Sequence, residues 1–191
     1  MAIVINGSGT VTGISVGGLP DGIVDAGTLA TNSVDSAELI DGSIDTAHIA
    51  TDQITSAILP AGSVLQVVQG TTATATASAS TSYVSTSITA TITPSSTSNK
   101  VLIFATSNLE TNTGSEQAWF SIYDGSSDIV ESYLKDLAGG SPVYPIALSK
   151  LDSPSTTSAV TYTVRMKATS STIVTNIGTS VGVITLMEIA G

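Results

Sequence analysis

Cysteine is absent from this chain of 191 residues, which removes disulfides, thiolate catalysis and cysteine-ligated zinc together. Histidine occurs once, at His48, so the serine, cysteine and zinc hydrolase constellations lack parts. Basic residues number five and none precedes Lys100. Against fifteen acids they leave a net charge of −10 and a pI of about 4.1. A nucleic-acid footprint, which needs clustered Lys and Arg, is all but excluded. Mean hydropathy is +0.38, yet no run of 18 apolar residues occurs, so no helix is long and apolar enough to cross a membrane. The opening Met1–Ser8 has neither a basic region nor a long apolar core, and a secretory signal is not expected. Asn6-Gly7-Ser8 then reads as a turn, and the neighbouring glycines lack the lysine of a phosphate loop.

What fills the chain instead is hydroxyl. Serine and threonine each occur 29 times, and charged residues make up only 10%, against roughly 25% in an ordinary soluble domain. Aromatic residues are 4%, and the first is Tyr83. Aromatic side chains anchor cores, and some 60 residues without one can scarcely close a core alone. The N-terminal third is therefore either disordered or ordered by other chains.

Its pattern is a repeat. Ile23–Ala30, Ser33–Ile40, Ser43–Ala50 and Gln53–Pro60 align by tens, and Val24, Leu29, Val34, Leu39, Ile44, Ile49, Ile54 and Leu59 recur every five residues. A step of five rotates about 140° on a helix and alternates faces on a strand, so it suits neither regular element. Asp25, Asp35 and Asp45, with Thr55 in the last unit, stand just before short alanine-containing stretches, where N-caps belong. Each unit is expected to be an extended step, one capped turn and a polar bend such as Asp41-Gly42-Ser43. One isolated turn is unstable in water, so the unit requires neighbouring copies, most simply identical chains around a shared axis with the five-residue series inward. The alternative is a linker whose periodicity is accidental.

From residue 62 the period becomes two. Val84, Ile88, Ala90 and Ile92 share one face, and Val160, Tyr162, Val164 and Met166 alternate with Thr161, Thr163, Arg165 and Lys167. Further strands are expected over 64–68, 71–79, 101–107, 118–123, 129–134, 146–151, 172–176 and 183–189. Pro94–Asn99, Asp124-Gly125, Gly139-Gly140, Asp152–Pro154 and Gly178 punctuate them. The fold class is mainly β: an extended repeat shaft followed by an antiparallel β-sandwich of jelly-roll type, trimeric. The expected divisions are an N-terminal anchoring segment at 1–22, the shaft at 23–61 and the β-domain at 62–191.

Chemistry is sparse. His48 reads as a repeat residue, whose copies would meet near the axis of a multimer. Paired carboxylates for glycosidase work would come from Glu110, Glu116, Asp124, Asp128 or Glu131, but no spacing among them is diagnostic. The Asp-rich bends lack the oxygen spacing of a calcium loop. No metal, cofactor or catalytic residue is assigned. Trp119 and Tyr123 share one face of a strand and Phe120 and Ile122 the other; one face is core, the other a candidate receptor platform.

The opening 5–24 segment, the Val-Asp-Ser-Ala-Glu-Leu and Ile-Asp-Thr-Ala-His-Ile units, and the closing 151–162 and 184–190 segments resemble bacteriophage virion fibres, in particular tail-fibre proteins of marine and cyanobacterial phages. The resemblance implies a homotrimeric fibre that docks on another virion protein by its N-terminus and displays a distal β-domain for host attachment, with a host surface glycan as candidate receptor. Ile3, Ile5, Val11, Ile14, Val16 and Leu19 are then the candidate anchoring side chains. At 191 residues the chain is short for a host-recognition fibre. Capsid decoration, a head fibre, a polysaccharide-degrading tailspike and a bacterial surface adhesin are the alternatives.

Overall fold

The computed structural model describes residues 34, 39, 41–51, 53–55, 58–111, 116–137, 142–176 and 178–191. It divides into two compact units, Met1–Gln53 and Ile54–Gly191. The anchoring candidates Ile3, Ile5, Val11, Ile14, Val16 and Leu19, and Val24 and Leu29 of the five-residue series, lie outside the described residues.

In the first unit, Asp41–Ala50 forms a bend, an extended step and one turn. Gly42 supplies the bend with a φ of +79°, a conformation that costs a side chain but not glycine. Asp45 Oδ1 accepts from the Ala47 N–H at 2.8 Å, and the His48 N–H closes the turn on the Asp45 carbonyl at 3.1 Å. Ten residues later, in the second unit, the Ile58 N–H closes on the Thr55 carbonyl at 3.0 Å. The turn therefore recurs with the period of the sequence.

The second unit holds ten strands: β1 (Val64–Thr72), β2 (Thr76–Ser78), β3 (Val84–Ile92), β4 (Lys100–Thr111), β5 (Glu116–Tyr123), β6 (Asp128–Leu137), β7 (Val143–Asp152), β8 (Val160–Ala168), β9 (Ile173–Thr175) and β10 (Gly182–Ile189). No helix occurs among the described residues. One sheet runs β1-β10-β4-β7, with the short β9 and β2 continuing alongside β4; the other runs β3-β8-β5-β6. All pairings are antiparallel. With β2 and β9 set aside, the eight long strands follow the order of a double-Greek-key jelly roll.

The alternation of the sequence fixes which side chains go inward. Ile88, Ala90 and Ile92 of β3, Phe120 and Ile122 of β5, and Tyr162, Val164 and Met166 of β8 face Val101, Ile103, Ala105, Ile184 and Leu186 of the other sheet, all buried. Burying each large side chain contributes roughly 1.5–3 kcal/mol. The expected strand at 71–79 is split. β1 follows β10 only as far as the Thr72–Gly182 pair; beyond it the chain bends and pairs Thr76–Ser78 with β9.

The hydroxyl content has a structural use. Between Ser85 and Thr89 the β3–β8 register shifts, and buried Thr86 donates its hydroxyl to the Val164 carbonyl at 2.7 Å while accepting from the Ile88 N–H at 3.2 Å. The side chain replaces ladder bonds that the irregularity removes, as a buried polar group must. Outward-facing Thr91 and Thr161 meet across the same strands at 2.7 Å. Pro145, which has an N atom but no N–H, sits on β7, an edge strand of its sheet.

Candidate functional site

The outer face of the β3-β8-β5-β6 sheet gathers four of the eight aromatic residues and the chain's single arginine. Register places Trp119 of β5 between Tyr133 of β6 and Lys167 of β8. The Trp119 and Tyr133 rings stack at 6.0 Å with 24° between planes, and Tyr133 is 58% exposed. Lys167 Nζ lies 4.3 Å from the centroid of Tyr83, which precedes β3, and 5.3 Å from that of Trp119. One residue row further, the Arg165 guanidinium lies 4.6 Å from the Tyr123 ring and 5.6 Å from Tyr83. These are cation–π distances.

The Arg165 cation is held in place by hydrogen bonds. Arg165 donates to Asp128 Oδ2 and to the Tyr83 carbonyl, each at 3.0 Å, and the Ser121 hydroxyl donates to the other oxygen of Asp128. Arg165 Nε and the Tyr83 hydroxyl are buried without a hydrogen-bond partner. Burial, reinforced by the negative charge of Glu131, pushes the Tyr83 hydroxyl well above its ordinary pKa. It therefore stays a neutral phenol across the physiological range. Tyr123 donates its hydroxyl to the Gly125 carbonyl at 2.8 Å, which ties its ring to the Asp124–Ser127 turn.

The structure thus puts both candidate platform residues, Trp119 and Tyr123, on the outer side, with Phe120 and Ile122 in the core. Tyr83, Tyr133, Arg165 and Lys167, which join them, come from other strands or their flanks and were not singled out by spacing. Of the carboxylate candidates, Asp128 is engaged by Arg165 and Ser121. Asp124 accepts from the Ser126 and Ser127 N–H groups at 2.7 Å each. Burial raises its pKa, but these bonds outweigh burial and hold it below the usual range. Glu131 is exposed on β6 and Glu110 lies at the β4–β7 ladder end opposite Val143. Glu116 opens β5. Among the described residues no group of three acidic or imidazole side chains could hold a metal.

The five-residue series falls in the first unit and at the start of the second. Val34, Leu39, Ile44, Ile49 and Ile54 are 40–54% exposed, and Leu59 is half-buried at a groove of about 220 Å³ that Ala61, Leu65, Asn99 and Gly191 also line. His48 Nδ1 sits 2.8 Å from Asp45 Oδ1, so the imidazole belongs to its own turn.

A buried carboxylate went unnoticed in the sequence. Glu188 of β10 is 1% exposed and accepts from the Ser95 N–H and Asn99 Nδ2 at 2.6 Å, from the Ser95 hydroxyl at 2.8 Å, and from Gln66 Nε2 at 2.5 Å. Burial raises its pKa, yet the bonds from Gln66, Asn99 and Ser95 together win and keep it below the usual glutamate value. The signal was present: Glu188 continues the inward alternation of Ile184 and Leu186.

No protein-family model matches the chain, and no curated protein matches it either. Among solved structures, it is similar to a protein of Bacillus endospore appendages, described as forming a family of disulfide-linked pili, at 13% identity and a TM-score of 0.32, over 70% of this chain and 96% of that one. It is also similar to the VP2 subviral particle of infectious bursal disease virus, at 11% identity and a TM-score of 0.37, over 65% of this chain but only 39% of that one. Overlaps of this size define neither a family nor a function.

Proposed function

We propose that the chain is a virion structural protein of a bacteriophage, a short homotrimeric tail fibre that docks on another virion protein by its N-terminus and displays the jelly roll for host attachment. The carrying observation is the row of exposed Val34, Leu39, Ile44, Ile49 and Ile54. Large apolar side chains at a fixed spacing, on turns too short to stand alone, call for a partner with the same spacing. Copies of this chain in parallel meet that need, and three enclose an irregular chain better than two.

The sequence resemblance to phage fibres supports the same reading, as does the outer aromatic face. The stack of half-buried Trp119 on exposed Tyr133 offers an apolar surface to the C–H face of a sugar ring, and Lys167 and exposed Glu131 offer a donor and an acceptor to its hydroxyls. Three such faces around one axis raise avidity for a repeated glycan without a tight single site. The chain works by attachment and display, without turnover.

The test is a deletion of residues 1–20 during phage assembly. A soluble trimer that no longer joins the particle supports the reading. Normal incorporation of the shortened protein, or depolymerisation of host polysaccharide by the purified full chain, overturns it.

A further inference from the structure

The opposite face of the jelly roll, on the β1-β10-β4-β7 sheet, has a different character. Register aligns Val67, Met187, Leu102 and Leu151 in one row across all four strands. Val67 is 57% and Leu151 48% exposed, and Phe104 is exposed in the adjoining row. This row and the next two toward Thr72, from Gln69 to Ser149 and from Thr71 to Ala147, contain no charged residue, while the row on its other side, through Ile189, carries Lys100. In a chain of net charge −10, such a face is one that identical copies can bring together without like-charge repulsion. Exposed apolar side chains grouped on one uncharged face are what a contact between proteins uses.

We propose that this face packs against the same chain's other copies, so that the trimer interface runs from the shaft into the head. The proposal rests on the trimeric fibre reading. Chain connectivity supplies the argument for the occupant. Exposed Ile54 and Ile58 lead through Pro60 into β1, and Val64, at the start of β1, is exposed as well. From Leu59 to Val64 the chain spans at most about 18 Å. A shaft with Leu59 near the axis therefore keeps each β1, and the uncharged face it borders, close to its two counterparts. The aromatic and cationic face belongs to the other sheet and stays free for a ligand.

The absence of cysteine makes the test direct. Single variants of the full chain, Val67→Cys, Leu151→Cys, Tyr133→Cys and Leu39→Cys, are treated with a short bismaleimide and resolved by denaturing electrophoresis. The expected result is covalent dimer through Val67→Cys or Leu151→Cys, with at least tenfold less through Tyr133→Cys, which sits on the outer face of the other sheet. Linking through Leu39→Cys but through neither Val67→Cys nor Leu151→Cys overturns the head interface and leaves the shaft reading standing. Equal linking through Tyr133→Cys also overturns it. No linking at any of the four positions overturns both.

Discussion

Arg165 Nη1 donates to Asp128 Oδ2 at 3.0 Å, and the contact joins β8 to β6 across the intervening strand β5. Ser121 of β5 donates to the same carboxylate, so one ion pair holds three strands in register beneath the aromatic rings. Both charged side chains are only about one-fifth exposed. Replacing Arg165 with Met should cost about 2 kcal/mol, the usual loss for a hydrogen bond to a charged group left unmade. Arg165→Lys should recover less than half, because an ammonium cannot reach Asp128 and the Tyr83 carbonyl in one planar fork. Urea unfolding with an unchanged m-value measures both.

Glu188 makes stability depend on acid. Its native pKa is held below the ordinary 4.5 by its hydrogen bonds, so its contribution is present above pH 4.5 and is lost as pH falls through the lowered native value. The urea midpoint should hold between pH 7 and 5 and decline below about pH 4.5. Glu188→Gln should flatten that decline. Glu188→Ala should cost about 2–3 kcal/mol at pH 7, since Ser95 and Asn99 keep donors without an acceptor.

Gly70 lies where the two sheets meet at β1 and β3. A methyl group there would collide with the Thr89 carbonyl oxygen, which belongs to the backbone and cannot swing away. Gly70→Ala should therefore destabilise by about 3 kcal/mol, the upper range of overpacking. Gly182→Ala meets the Asn176 amide oxygen and the Ile88 side chain, the latter at 2.6 Å; both are side-chain rather than backbone groups, so they can yield in part and the cost should be smaller. Thermal melts of the two variants give the order.

The outer aromatic face should separate attachment from folding. Trp119→Ala and Tyr133→Ala remove side chains that lie outside the core, so the melting temperature should stay within a few degrees. Retention on host cells should fall at least tenfold, since about 1 kcal/mol lost at each of three sites multiplies. Retention equal to that of the unaltered protein would remove this face as the contact surface.

Most of the strands were legible because alternation marks one side as core, as in Val160–Lys167, whereas the bend that divides β1 from β2 within 71–79 was not. The jelly-roll order was legible only as a class, since pairing is decided by long-range register that no local window contains. The same limit hid the platform. Trp119 and Tyr123 were visible as neighbours on one strand, but Tyr83, Tyr133, Arg165 and Lys167 reach them only across strands. The bend and turn of Asp41–Ala50 could be read because a glycine bend and an aspartate cap act within a few residues.

In the proposed fibre, the five-residue series joins three chains. Sedimentation equilibrium of the full-length protein tests it most directly. The expected mass is three times 19.1 kDa, and the Leu39→Asp, Ile44→Asp double variant should need at least tenfold more protein to reach it, because the shaft contacts are lost even where the head face still associates. A monomer from the unaltered chain, or a double variant that associates as tightly as the unaltered chain, contradicts the account.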